Sequence, residues 1–565
     1  MSSSTLILPT APLTAGRHGP AQPSTTLSYA HGPIDIPLLG DTVGDLLRSA
    51  ADLFGDRDAL VVRHQQYRAS YAELWAQVDQ AARALLALDV RKGDRVGIWA
   101  PNRFEWVVTQ FATARVGAIL VTVNPAYQAE ELQYALTKAG VSLLVMASGF
   151  RDSDYVALLA SVRPRCTALR AAIVLEDDWH TFLSAGDDIT DDELAAREAS
   201  LQFDDAINIQ FTSGTTGNPK GATLSHHNIV NNAHLVAETL QYSEIDRACV
   251  PMPFYHCFGM VLGTLACVSR GACIVVPAES FDPVEVLAAV EAERCTALHG
   301  VPTMFIAELT ELDGREFDLS TLRTGMMGGA PCTAEVMQAV RTRMNMDQVT
   351  IVCGMTETAP VSTQTALDDP VDKRVGTVGR VHPHVEIKIV DPETGSTVPR
   401  GTPGEQCTRG YGVMLGYWND PVGTAIAVDD AGWMHTGDLA VMDADGYVSI
   451  VGRIKDMIIR GGENISPREI EEFLHALPEV RDVQVIGVPS ERYGEEVMAW
   501  VRLRDGVDVT AAELTDACRG RIAAYKIPGR WKFVDEFPMT VTRKIQKYRM
   551  REMAVAELTA DRIGR

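Results

Sequence analysis

Through roughly the first 400 residues, short apolar runs alternate with longer stretches whose apolar positions recur at helical spacing. Residues Val116–Met146 show the unit: VGAILVTV reads as a buried strand, Pro125–Ala126 as a turn, AEELQYALTKA as an amphipathic helix stopped by Gly140, and VSLLVM as the next strand. In FDPVEVLAAVEAERCTALHG, Pro283 is placed to open a helix that leads into another strand. Such units predict layered α/β structure with largely parallel sheets.

The pattern changes after roughly residue 375, where Gly376–Gly410 shortens into strands cut by Gly/Pro turns and predicts a small β-rich subdomain. From Gly452 a compact α+β piece begins. The expected fold class is therefore α/β: a large N-terminal domain of layered α/β sheets with a β-rich subdomain, and a small mobile C-terminal α+β domain. The expected divisions are a loose arm over residues 1–35, the main domain over 36–452 and the C-terminal domain over 453–565. No internal repeat is visible.

Charge sharpens the last boundary. The net charge of −23 argues against a general nucleic-acid binder. From Arg453 onward the chain carries 20 basic and 19 acidic residues, against 31 and 55 in the remainder. A nearly neutral C-terminal piece suits a domain that meets anionic ligands. The ten cysteines form no C-x-x-C pair and no zinc-like cluster, which predicts reduced thiols in a cytoplasmic protein. The N-terminus lacks the pattern of a secretory signal, and no apolar stretch is long enough and clean enough for stable membrane insertion.

The chemistry concentrates in FTSGTTGNPKGATLSHHN, Phe211–Asn228. Glycines allow close backbone approach, successive N–H groups form an anion-binding concavity, and Ser and Thr hydroxyls add donors. Lys220 is the cation within it. This inventory suits a polyphosphate, yet it is not a Walker loop: Pro219 replaces the second Walker glycine and Gly221 the Mg²⁺-binding hydroxyl residue. AINIQFT before it reads as a strand, and a helix capped by Ser225 follows.

Six ordered segments carry a resemblance: TSGTTGNPKG (212–221), PMPFYHCFG (251–259), CGMTET (353–358), HTGD (435–438), GRIKDMIIRGGENI (452–465) and PMTVTRKIQKYRMRE (538–552). Together the chain resembles the adenylate-forming superfamily over about residues 40–555, and within it the medium- and long-chain fatty acyl-CoA ligases. That resemblance implies two steps. A fatty acid carboxylate attacks the ATP α-phosphorus, giving acyl-AMP and pyrophosphate, and the thiol of coenzyme A then displaces AMP. Bringing a carboxylate to a triphosphate costs about 4 kcal/mol for one charge pair at 4 Å and ε ≈ 20, so fixed cations and donors are needed.

By that resemblance Thr212, Ser213, Gly214, Thr215, Thr216 and Gly217 cradle the β- and γ-phosphates with Lys220 at the edge. Thr356 meets the α-phosphate and Glu357 ligates Mg²⁺. Gly329, Ala330 and Pro331 approach adenine and the acyl carbonyl, and Asp438 with Arg453 takes the ribose. His256 is implied as a wall between the carboxylate site and the acyl pocket, a packed core histidine being the alternative. Lys544 is implied as the lysine bridging carboxylate and α-phosphate; the alternative is a basic helix face with Lys547 and Arg551. Lys455 is implied as the hinge about which the C-terminal domain turns, bringing Gly461 and Gly462 to the pantetheine arm in the second step.

Two residues depart from the superfamily pattern. Cys353 stands where an aromatic residue usually lies against adenine, and Arg543 where a glycine precedes the lysine. The segment Phe254–Ala272 holds no acid for a substrate ammonium, which disfavours amino-acid activation. Gly259, Gly263 and Ala266 would leave one helix face open for an acyl chain. An aryl-acid ligase, a fatty acyl-AMP ligase and a non-catalytic nucleotide-binding homologue stay open as alternatives. The expected partners are small molecules alone, with a homodimer as the candidate assembly.

Overall fold

The computed structural model describes residues 26–212, 219–330, 332–460, 463–490, 493–540 and 545–563. The pattern over Val116–Met146 folds as strand Ile119–Thr122, helix Ala129–Ala139 and strand Leu143–Met146. Glu131 Oε2 accepts the Gln128 N–H at 3.1 Å at the start of the helix, and Gly140 ends it at φ 65°, where a side chain would be strained. Both strands pair in parallel with Arg95–Trp99 between them. Asp282 caps the helix that Pro283 opens, accepting from the N–H groups of Val284 and Glu285.

Among the described residues these units assemble two large sheets. A seven-stranded sheet runs in the order Gly416–Tyr417, Lys220–Ser225, Ala206–Thr212, Ile119–Thr122, Arg95–Trp99, Leu143–Met146 and Ala171–Val174. A nine-stranded sheet includes the adjacent parallel strands Thr324–Gly328 and Gln348–Gly354. A large core includes Trp99, Trp106, Phe111 and Phe254, all fully buried, and a second core around Leu287, Leu298, Phe305 and Met327 packs helices against the nine-stranded sheet. Helix Phe104–Val116 is buried on every side but its first residue, polar Glu105, Gln110 and Arg115 included, so no amphipathic stripe marks it. No helix among the described residues is long and apolar enough to cross a membrane.

The β-rich part is a five-stranded antiparallel sheet: Tyr29–His31, Val385–Val390, Gly404–Gly410, Met434–Met442 and Val448–Arg453. Its first strand corrects the expectation of a loose arm through residue 35. Tyr29–His31 pairs with Glu386–Lys388, and Ser28 N–H donates to Val398 O at 2.8 Å. Three residues are too few for alternation to announce a strand.

Beyond Asp456, strands Ile458–Arg460, Glu463–Ile465, Val480–Ser490, Gly494–Leu503 and Arg530–Phe533 form a separate sheet with its own core around Ile458, Val483 and Val497. Lys455 lies in the short 3₁₀ turn Ile454–Asp456 that links it to the β-rich sheet. Ser466 Oγ donates to Val451 O at 2.6 Å across that link.

Candidate active site

The glycine-rich loop leaves and re-enters one antiparallel strand pair, with Thr212 directly opposite Lys220. Both of its ends are therefore fixed by sheet hydrogen bonds. Gly221, at the position of the Walker hydroxyl, is required by packing: a Cβ there would lie 2.9 Å from Ile209 Cγ2. Ser213, Gly214, Thr215, Thr216 and Gly217 lie outside the described residues.

Glu357 follows strand Gln348–Gly354 in a 3₁₀ turn, and its residue is only 4% exposed. Gly354 permits that turn, since a Cβ there would fall 1.8 Å from Pro360 O. The Glu357 Oε1 accepts from Thr212 Oγ1 at 3.2 Å and from the Tyr417 hydroxyl at 2.9 Å. Burial first, and the Glu357 charge second, push the Tyr417 phenol well above its ordinary range, so it remains a donor. Lys220 Nζ stands 4.7 Å from the centre of the Tyr417 ring. Tyr417 thus joins the acid to the loop's cation. Sequence reasoning missed it because it sits 60 residues beyond Glu357 with no spacing that points there.

Thr356 is also buried, and its Oγ1 lies 3.6 Å from Cys257 Sγ. That sulfur is in turn 3.6 Å from His256 Nδ1, which accepts the Phe258 N–H at 3.1 Å. His256 is half-buried and so placed beside Thr356, at the start of the π-helix Phe258–Leu265. That helix is not the open-faced one expected. A Cβ on Gly263 would meet Val250 Cγ1 at 2.5 Å, and one on Gly259 would meet Pro253 O at 2.3 Å. The small residues serve close packing rather than a tunnel wall.

Asp438 and Arg453 are partners in the sheet register, and Arg453 Nε donates to Asp438 Oδ1 at 2.9 Å. Attraction to Asp438 chiefly raises the arginine's pKa, with Asp456 and Cys353 adding to it. Cys353, opposite Thr363 on its strand, is therefore within electrostatic reach of this pair. The carboxylate that would take a ribose and the position that would lie against adenine share one neighbourhood. Gly329 turns at φ 79° just past strand Thr324–Gly328, with Ala330 exposed beyond it.

Pro331, Gly461, Gly462, Arg543 and Lys544 lie outside the described residues. The following helix begins at Lys547, so Lys544 precedes it. Lys547 and Arg551 are already paired, with Glu471 and Glu495. The arrangement brings a buried carboxylate, a hydroxyl and a cation to the two ends of the glycine-rich loop, and a second carboxylate, Asp438, is paired with Arg453 near Cys353 on the strand that leads to Thr356. That is the outline of a nucleotide polyphosphate site.

A family model described as AMP-binding enzyme matches residues 47–418, and one described as AMP-binding enzyme C-terminal domain matches residues 469–544. The chain is 49% identical over 538 residues to a putative acyl-CoA synthetase, YngI, of Bacillus subtilis, covering 92% of this chain and 98% of that one. It is 42% identical over 567 residues to the mitochondrial medium-chain acyl-CoA ligase ACSF2 of Bos taurus, covering 96% and 92%. Its fold is similar to the crystal structure of the anthranilate CoA ligase AuaEII in complex with anthranoyl-AMP, with a TM-score of 0.80 and 27% identity over 93% of this chain and 99% of that one.

Proposed function

The chain belongs to the AMP-binding enzyme family, and on that premise we propose that it activates a medium- or long-chain carboxylic acid with ATP and passes the acyl group to coenzyme A. Joining an acyl group to coenzyme A is the activity its relatives' names share. The observation that carries the reading is Glu357, a buried carboxylate held by the hydroxyl of Thr212, at the end of the strand that leads into the glycine-rich loop, and by that of Tyr417, on the edge strand paired with Lys220–Ser225.

Glu357 and Thr212 offer converging oxygen donors, the set a hard cation prefers, so Mg²⁺ fits there. When bound it would neutralise phosphate charge. The chain's own residues do the rest. Lys220 and the loop donors would hold the β- and γ-phosphates, Thr356 the α-phosphate, and Asp438 with Arg453 the ribose. Lys544 would balance the incoming carboxylate in the first step. The C-terminal domain would then turn at Lys455 and bring Gly461 and Gly462 to the pantetheine.

An apolar distal substrate is supported by the segment Phe258–Val268, which is buried and uncharged, while the charge of Arg270 is taken up by Glu238. The ten free thiols support a reducing compartment, and we assign the cytoplasm. Lipid metabolism is the setting and a homodimer the candidate assembly. The test is pyrophosphate release in the absence of coenzyme A with acids from acetate to palmitate, benzoate and cinnamate. Activity should climb with aliphatic length, by about 0.8 kcal/mol of binding per buried methylene until the pocket ends. A preference for acetate or the aromatic acids would overturn the fatty-acid reading, and no pyrophosphate with any acid would overturn the enzyme.

A further inference from the structure

Cys407, His435 and Glu405 converge on the β-rich sheet at a place that the proposed reaction leaves unused. Cys407 stands opposite His435 in the register, and Glu405 precedes it by two residues, on the same strand face. Cys407 Sγ is 3.5 Å from His435 Nδ1, and that nitrogen is 2.9 Å from Glu405 Oε2. All three donor atoms lie within 4.8 Å of one another.

A tetrahedral zinc ion, ~2.3 Å from sulfur and ~2.05 Å from nitrogen, separates those two atoms by about 3.6 Å. The strand pair already holds Sγ and Nδ1 at nearly that distance. The other ring nitrogen, Nε2, faces Asp429 Oδ2 at 3.8 Å. A carboxylate behind the imidazole is the usual support of a metal-bound histidine. We propose that Cys407, His435 and Glu405 form a binding site for a thiophilic divalent cation of the Zn²⁺ class, with water completing the coordination.

The donor set separates this site from the one at Glu357. Sulfur and imidazole suit zinc, whereas Mg²⁺ takes oxygen alone. Cys407 is fully buried, and burial, with a smaller contribution from Glu405, pushes its thiol up to about 12. Lys388, its register partner on the next strand, acts in the opposite sense and favours the thiolate. Binding therefore forms a sulfur–metal bond and releases the thiol proton to solvent. Glu405 Oε1 meanwhile accepts the Gly437 N–H at 3.1 Å, next to Asp438. A cation taken through Oε2 leaves that bond in place and ties the two strands at the base of the turn that carries Asp438. This consequence alone rests on the ribose role proposed above.

The test is titration of the chelator-stripped full chain with Co²⁺, without nucleotide, followed by its sulfur-to-cobalt charge-transfer absorption. Competition with a chromophoric chelator then measures Zn²⁺. One equivalent with that absorption is expected, together with its loss in Cys407→Ser and about 100-fold or more weaker Zn²⁺ binding in that variant. Glu405→Gln, a milder change, should weaken binding while the absorption persists. Thermal melts establish that each variant is folded. No absorption in the unmodified chain overturns the proposal. So does full absorption in folded Cys407→Ser, which would put the metal on less buried thiols such as Cys332 or Cys353.

Discussion

Tyr417 donates its phenolic hydrogen to Oε1 of Glu357 at 2.9 Å, while the face of its ring lies against Lys220. The tyrosine stands at the edge of the seven-stranded sheet, where Ala222 is its register partner. One side chain thus fixes the distance between the acid proposed to hold Mg²⁺ and the cation at the end of the phosphate loop. Neither could shift without disturbing the other.

Tyr417→Phe should keep the ring under Lys220 and remove only the donor. A hydrogen bond to a charged group is worth roughly 1.5–3 kcal/mol, so the KM for Mg²⁺-ATP should rise about tenfold or more, with the melting temperature little changed. Steady-state kinetics at varied Mg²⁺ measures this. An unchanged KM would mean that Thr212 alone orients Glu357.

The strand–helix–strand units were legible because period and punctuation agree, as in Val116–Met146 with its closing Gly140. Helix Phe104–Val116 was less so, since a helix buried all round loses the stripe that periodicity detects. At the candidate site, resemblance singled out Thr212 and Glu357, which the structure places in hydrogen-bond contact. Other contacts were not legible in the sequence. Tyr417, and Glu405 beneath His435, act through contacts spanning 60 and 30 residues that only sheet register creates. Gly259 and Gly263 misled because small residues mark close packing as often as open space, and because the helix there widens to π geometry.

Lys544→Ala should abolish acyl-adenylate formation and leave thioester formation from supplied acyl-AMP largely intact. The hinge proposed at Lys455 is the reason: if the C-terminal domain turns between steps, Lys544 serves only the first. The two half-reactions are measured separately, by pyrophosphate release and by acyl-CoA formation. Equal loss in both would remove the case for a domain rotation.

Glu308, on helix Pro302–Glu311, is 1% exposed, and neither carboxylate oxygen has a hydrogen-bond partner among the described residues. Burial pushes its carboxyl up to about 8, from an ordinary value of 4.5. Across that window the folded chain keeps a proton that the unfolded chain has released. Its contribution to stability is therefore lost as pH rises from the lower value to the upper one, and is flat above it. Glu308→Gln removes this dependence. The variant's melting temperature relative to the unmodified chain should climb steadily from roughly pH 5 to pH 8. A constant offset over that range would show that Glu308 is ionised in the folded state.

Gly263 supplies the sharpest test of how the π-helix Phe258–Leu265 is used. A methyl group added there would reach Val250 Cγ1 at 2.5 Å, well inside van der Waals contact, and Gly263 is itself completely enclosed. Overpacking of a well-filled core costs about 1–3 kcal/mol. Gly263→Ala should accordingly lower stability by that order in denaturant unfolding. It should leave the preferred acid length where it was, because the added carbon points into the protein's own packing. A substituent that instead narrowed an acyl pocket would act differently: long acids would lose kcat/KM, short ones would not, and stability would hold. Measuring the acid panel and the unfolding curve on the same variant separates the two outcomes. A shifted chain-length optimum at unchanged stability would return this face of the helix to the substrate.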